Sequence, residues 1–290
     1  VKRYHDIVGD GGSDVLGQAR AQRARIDGAL ATAGRRIAVA SGKGGVGKST
    51  LALQIAAALA DLGLGVAILD ADLNGPTQAR LSGVGGVPPI PGAAGLAMPR
   101  TASGLGVVSL GSFLPESEPV EFPSVARGES HVWRAAREFA LLGELLASVD
   151  WGRPDYLVVD LPPGPERTRQ YADFLGPGAE FVLVTVPSDV ARGVVARSVA
   201  ALRRAEVRLL GYVENMAGYR CPGCDTIQPL FPESGALDLG VPRLGRVPFD
   251  PELARLSDLG RARREDRTGP TFDAIRDVAL AIHQAREVPR

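Results

Sequence analysis

Short, almost wholly apolar runs alternate along this chain with segments that are apolar only every third or fourth residue. Arg36-Ile37-Ala38-Val39-Ala40 and Tyr156-Leu157-Val158-Val159-Asp160 are such runs, and residues 65–70, 105–110, 181–186, 208–213 and 244–247 read as further strands. A strand buried on both faces shows this continuous pattern, because neither face can carry polar side chains. Residues 49–62, 132–149, 190–204 and 271–286 have helical spacing, and Pro251 opens another helix. In residues 14–32, Val15, Leu16, Ala19, Ile26 and Leu30 fall near helical spacing with arginines between them, which predicts a helix laid on the main domain. Gly and Pro dominate residues 82–104, where a long loop is expected. Apolar strands alternating with helices predict an α/β fold, doubly wound, with a mostly parallel sheet and helices on both faces. No internal repeat or linker divides the chain. The expected organisation is a helical extension over residues 1–34 and one domain over residues 35–290.

Composition narrows the partners. The 290 residues carry 33 Lys and Arg against 33 Asp and Glu, so no global field favours nucleic acid or an anionic membrane. No nucleic-acid partner is expected. No stretch approaches the roughly 20 apolar residues of a membrane span. The opening Val1-Lys2-Arg3-Tyr4-His5-Asp6 lacks the apolar run of a secretory signal. Only 2 cysteines are present, too few for a disulfide scaffold. A cytoplasmic location is expected.

The chemistry concentrates in a glycine-rich turn. Gly42 to Ser49 satisfies G-x-x-x-x-G-K-[ST] between a buried strand and a helix. Through Gly42, Lys43, Gly44, Gly45, Val46, Gly47, Lys48, Ser49 and Thr50, backbone N–H groups can turn inward on phosphate oxygens, and the new helix adds its free N-terminal amides. Lys48 would supply positive charge to the β- and γ-phosphates, and the Ser49 hydroxyl would ligate Mg²⁺. Asp70 and Asp72 close the second strand, at the carboxyl edge where open parallel sheets bind ligands. Both are expected to face the nucleotide, one orienting water and the other holding a magnesium-bound water, although Asp72 could equally cap a turn. Asp160 ends a third apolar strand in the manner of a carboxylate in the outer shell of Mg²⁺.

Cys221-Pro222-Gly223-Cys224 is the second chemical signal. The residues after Cys224 do not open a convincing helix, which argues against a thioredoxin-like pair. A closed zinc site wants four ligands, and one chain offers 2 cysteines and 3 scattered histidines. Two chains about a two-fold axis would bring four thiolates together, suited to zinc or to an iron–sulfur cluster.

Several motifs carry a resemblance beyond these patterns. Lys43-Gly44-Gly45-Val46-Gly47-Lys48 resembles the deviant phosphate loop of the MinD/ParA/Mrp ATPases. Asp70-Ala71-Asp72-Leu73-Asn74-Gly75-Pro76, Asp160-Leu161-Pro162-Pro163-Gly164 and Val213-Glu214-Asn215-Met216 ahead of the cysteine pair resemble the Mrp/ApbC-type iron–sulfur carriers within that group. The likeness runs over residues 36–260. It implies that Lys43 reaches the nucleotide of a partner subunit, that Asp72 activates water, that Asn215 hydrogen-bonds adenine, and that Cys221 and Cys224 of two subunits bridge a [4Fe–4S] cluster passed to apo-proteins. The implied activity is a homodimeric ATPase of low turnover. A spatial-organisation ATPase of the MinD/ParA kind and a zinc-bridged regulatory ATPase remain the alternatives. One departure stands out: where the family continues Thr-Gly-Asp, this chain has Pro165-Glu166-Arg167-Thr168, and Glu166 is a candidate for the missing acid.

Overall fold

Strand β1 (Arg35–Ser41) is buried along its last five residues, and its side chains divide between two cores. Ile37 and Val39 enter one and Ala38 and Ala40 the other, as the two-residue period of a strand requires. The computed structural model describes residues 15–113, 131–231, 239–261 and 267–285. Asp14 and Arg286, the outer ends expected of the first and last helices, lie outside them, as does the N-terminal segment read for a secretory signal.

Helix α1 (Val15–Leu30) precedes β1. After β1 come α2 (Lys48–Asp61), β2 (Val66–Asp70) and the short α3 (Gln78–Leu81). Strands β3 (Ile90–Gly92), β4 (Gly95–Ala97) and β5 (Gly106–Val108) follow. Next are α4 (His131–Ser148), β6 (Val149–Asp150), β7 (Tyr156–Asp160), α5 (Pro165–Leu175) and β8 (Ala179–Thr185). The chain continues through α6 (Asp189–Arg204), β9 (Arg208–Arg220), β10 (Ile227–Gln228), β11 (Arg243–Phe249), α7 (Pro251–Asp258) and α8 (Pro270–Gln284).

The main sheet runs β11–β9–β8–β1–β7–β2–β5 with every pair parallel, and β10 folds back antiparallel on the end of β9. Helices α2 and α8 cover one face, through Leu51, Ile55, Ile275 and Val278. Helices α1, α4, α5 and α6 cover the other, through Ile26, Leu142, Tyr171 and Val199. This is the doubly wound α/β fold expected from the pattern. Because β1 lies between β7 and β8, the chain departs from it in both directions, which opens a crevice at its carboxyl end.

Two local expectations are corrected. Residues 82–104 are not wholly loop: β3 and β4 form a hairpin, and β4 pairs with β6 in a second small sheet. Its strands are three residues or shorter and largely exposed, so no apolar alternation marked them. Gly95, at φ +140°, is required where the hairpin meets β6, since a Cβ there would sit 2.7 Å from the Ser148 carbonyl oxygen. β9 continues past residue 213 as far as Arg220, with Met216 at φ 54° interrupting the ordinary backbone. Pro165 starts a helix where the sequence pattern assigned no element, with Pro at its first turn and Gly176 at its end.

Candidate nucleotide site and cysteine hairpin

The phosphate loop springs from the crevice end of β1. Gly45 and Gly47 adopt φ +77° and +76°, so the backbone turns through left-handed conformations that favour glycine. Gly47 caps α2 without a side-chain hydrogen bond, leaving that helix's first amides without side-chain partners at the loop. A cavity of about 260 Å³ lies against the loop, lined by Ser41, Lys43 to Thr50, Asp72, Thr77, Leu81 and Pro163.

Beneath it sits a buried polar cluster. The Lys48 ammonium is ion-paired with Oδ1 of Asp160 and lies 3.2 Å from the Ser49 hydroxyl. The other carboxylate oxygen of Asp160 accepts from Gln78 Nε2 at 2.8 Å, and the same amide donates to the Ser49 carbonyl at 2.9 Å. Gln78 Oε1 is buried without a protein partner.

The two strand-ending aspartates separate. Asp72 lines the cavity; burial pushes its carboxyl up, while the Lys48 charge opposes this. Asp70 does not line it. Oδ2 of Asp70 accepts from the Thr77 and Gln78 N–H groups at 2.8 and 2.9 Å and from the Ser109 hydroxyl at 2.9 Å. Burial, reinforced by the neighbouring Asp160 charge, pushes the Asp70 carboxyl up to about 7. The expectation that both face the crevice therefore holds only for Asp72, because Asp70 is consumed in fastening the start of α3.

Asn215, on β9, is buried and donates from Nδ2 to the Val46 carbonyl at 2.8 Å. It grips the phosphate loop directly. Lys43 is partly exposed at the cavity wall. Glu166 is exposed in the first turn of α5 and does not line the cavity.

The cysteines lie in the turn between β9 and β10. Cys221 N–H donates to the Thr226 carbonyl at 2.9 Å, and Asp225 N–H donates to the Cys221 carbonyl at 2.9 Å, which closes the turn. Both thiols are free, Cys221 half-buried and Cys224 exposed. Cys224 Sγ is 3.0 Å from the Thr226 hydroxyl, and this contact, with a further one to Cys221, draws its thiol down. Arg220 ties the turn to the body through Asp225 and Asp250, at 2.7 and 2.8 Å. Among the described residues, no group of three or more His, Cys, Asp or Glu could hold a metal. Asn215 and Cys221 are six positions apart. Thus one strand touches the phosphate loop and, past its end at Arg220, leads directly into the turn that carries the thiols.

The matching family model is described as ParA: NUBPL iron-transfer P-loop NTPase, over residues 32–283. The chain belongs to that family. Relatives include the cytosolic Fe-S cluster assembly factor NUBP2 of Bos taurus, 36% identical over 257 residues, covering 85% of this chain and 91% of that protein. The iron-sulfur cluster carrier protein of Methanococcus maripaludis is 34% identical over 254 residues, covering 86% and 84%. A nucleotide-binding protein of Archaeoglobus fulgidus, solved in complex with ADP, superposes with a TM-score of 0.70 at 32% identity, covering 87% of this chain and 95% of its own. The cell division ATPase MinD of Pyrococcus furiosus shares the fold, with a TM-score of 0.61 at 22% identity and coverage of 87% and 100%.

Sequence reasoning missed Gln78 and Ser109 of this NUBPL-family chain, which bind Asp160 and Asp70. Gln78 lies close to a motif, two residues after the Gly-Pro step. Ser109 reaches the cluster from a distant element and leaves no local signal.

Proposed function

We propose that this chain binds ATP, hydrolyses it slowly, and carries an iron–sulfur cluster as cargo between two copies of itself. The observation that carries the reading is the pair of free thiols in the turn that directly follows β9, the strand whose Asn215 holds the phosphate loop. Two thiolates leave half of a four-thiolate shell to a second chain. The ADP-bound relative and the relatives named as cluster carriers support the same reading.

In this reading the loop amides and Lys48 hold the phosphates, Lys43 reaches the partner's nucleotide, and Asn215 faces the purine as well as the loop. Asp72 orients the attacking water. Water adds to the γ-phosphorus, the bond to the bridging oxygen breaks, ADP leaves with that electron pair, and the water's proton passes through Asp72 to solvent. Mg²⁺ fits the residues present: the Ser49 hydroxyl and the Asp160 carboxylate are hard oxygen donors that would hold it, and the buried Gln78 Oε1, without a protein partner, would be free to accept from a bound water. The ion would neutralise charge developing on the phosphates. Lys48 would then leave Asp160 for the nucleotide. Apo iron–sulfur proteins are the recipients, and the cytoplasm is the proposed location, in line with the relatives named cytosolic.

A membrane-cycling role has less support. No helix among the described residues is long and apolar enough to cross a membrane. The apolar face of α8 is spent on the core through Phe272, Ile275, Val278 and Ile282. The test is anaerobic purification and reconstitution with iron and sulfide. Sulfide-to-iron charge-transfer absorption should appear, at one cluster per two chains, and vanish in Cys221→Ala and in Cys224→Ala. Zinc at one atom per two chains with no bound iron would overturn the carrier reading.

A further inference from the structure

The departure Pro165-Glu166-Arg167-Thr168 places Arg167 in the first turn of α5, beside Glu166. Arg167 is half-buried on α5, and its guanidinium is ion-paired with Oε2 of Glu138 on α4. It also donates to Gln170 Oε1 at 3.2 Å and stacks over two rings, with its central carbon 5.7 Å from the Phe139 centroid and 5.6 Å from that of Tyr171. Glu138 is 3% exposed. Its second oxygen accepts from Asn74 Nδ2 at 2.9 Å. A buried carboxylate is costly unless both oxygens are served. Here one partner comes from the loop after Asp72 and the other from the helix after Asp160.

A second contact runs in parallel. The hydroxyl of Tyr171, fully buried on α5, donates to the Ala71 carbonyl at 2.7 Å. The loop bearing Asp72 is thus gripped on both sides, at Ala71 and at Asn74. Helix α5 in turn is anchored to the phosphate-loop strand, since Gly164 N–H donates to the Ser41 carbonyl at 2.8 Å.

We propose that Asn74, Glu138 and Arg167 form a strap that fixes Asp72 over the phosphate cavity and makes its placement depend on α5. They are positioning residues: none lines the cavity, and each acts through Asp72. The inference rests on the hydrolytic reading above. It assigns the altered family motif a purpose, in which Arg167 rather than Glu166 does the work by holding the neighbouring loop.

Asn74→Ala is the primary test, because Asn74 is exposed and its loss opens no cavity in the core; the cost of the unserved Glu138 oxygen is read in the melting temperature. Asn74→Asp, nearly isosteric, sets carboxylate against carboxylate, and Arg167→Lys keeps the charge but loses the fork and the stacking. Steady-state ATP hydrolysis, the affinity for a fluorescent ATP analogue and the melting temperature are measured for each. The strap predicts a kcat about tenfold lower, the rate equivalent of one lost charge-assisted hydrogen bond, with nucleotide affinity within about twofold of wild type. Asn74→Ala combined with Arg167→Lys should be little worse than either alone, since a strap fails when cut anywhere. A folded Asn74→Ala with unchanged kcat overturns the strap, as does a double variant whose losses multiply, or a fall in nucleotide affinity matching the fall in kcat. Lys48→Ala run alongside separates the two readings. Wild type no faster than Lys48→Ala sinks hydrolysis and strap together, whereas active wild type with equally active variants sinks the strap alone.

Discussion

Gly47→Ala strains the phosphate loop where it meets the sheet, and the cost can be divided into parts. Gly47 sits at φ +76°, where a residue bearing a Cβ loses about 1–2 kcal/mol. The new Cβ would also lie 2.3 Å from Asn215 Nδ2. Asn215 is only 8% exposed, so its amide must withdraw and surrender the 2.8 Å bond to the Val46 carbonyl. That bond contributes about 1 kcal/mol. The total is about 2–3 kcal/mol. Asn215→Ala alone loses the bond, at about 1 kcal/mol or slightly more. In the double variant the clash has no partner and the bond is already gone, so only the backbone strain is added. The two single costs should therefore exceed the double cost by the one bond counted twice, about 1 kcal/mol, a coupling typical of residues in contact. Urea unfolding of the four nucleotide-free proteins, at equal m-values, measures this. Additivity within about 0.5 kcal/mol would refute the claim that Asn215 clamps the loop at Gly47.

Tyr171→Phe removes the donor to the buried Ala71 carbonyl and should cost about 1–2 kcal/mol, read as a melting temperature lower by about 2–5 °C; an unchanged melting temperature would count against that bond. The Asp70 carboxyl is raised from 3.8 to about 7, so the folded state favours its protonated form. Its contribution to stability is full below about pH 4 and is lost as pH rises through about 7. Asp70→Asn cannot titrate, so wild-type stability relative to that variant should fall across this window in urea unfolding at stepped pH. A difference independent of pH would show that burial does not govern Asp70.

What could be read from the chain alone was local. The glycine-rich turn, the lysine and hydroxyl after it, and the apolar strands ahead of it depend on backbone geometry and on residues a few positions apart, so spacing expresses them. The cysteine pair is legible for the same reason, as are the parallel sheet and its two covered faces. The tertiary structure decided which carboxylate meets the cavity. Asp70 and Asp72 are equivalent on paper, but Thr77, Gln78 and Ser109 converge on Asp70, while Asp72 lines the cavity at the glycine-rich loop. It also decided what the altered motif after Asp160 meets: Arg167 pairs with Glu138, and Glu138 with Asn74, 64 positions away, only when α4 packs beside the Asp72 loop. A carboxylate pairs with whatever the fold brings within hydrogen-bonding distance, and no periodicity in the chain records that meeting.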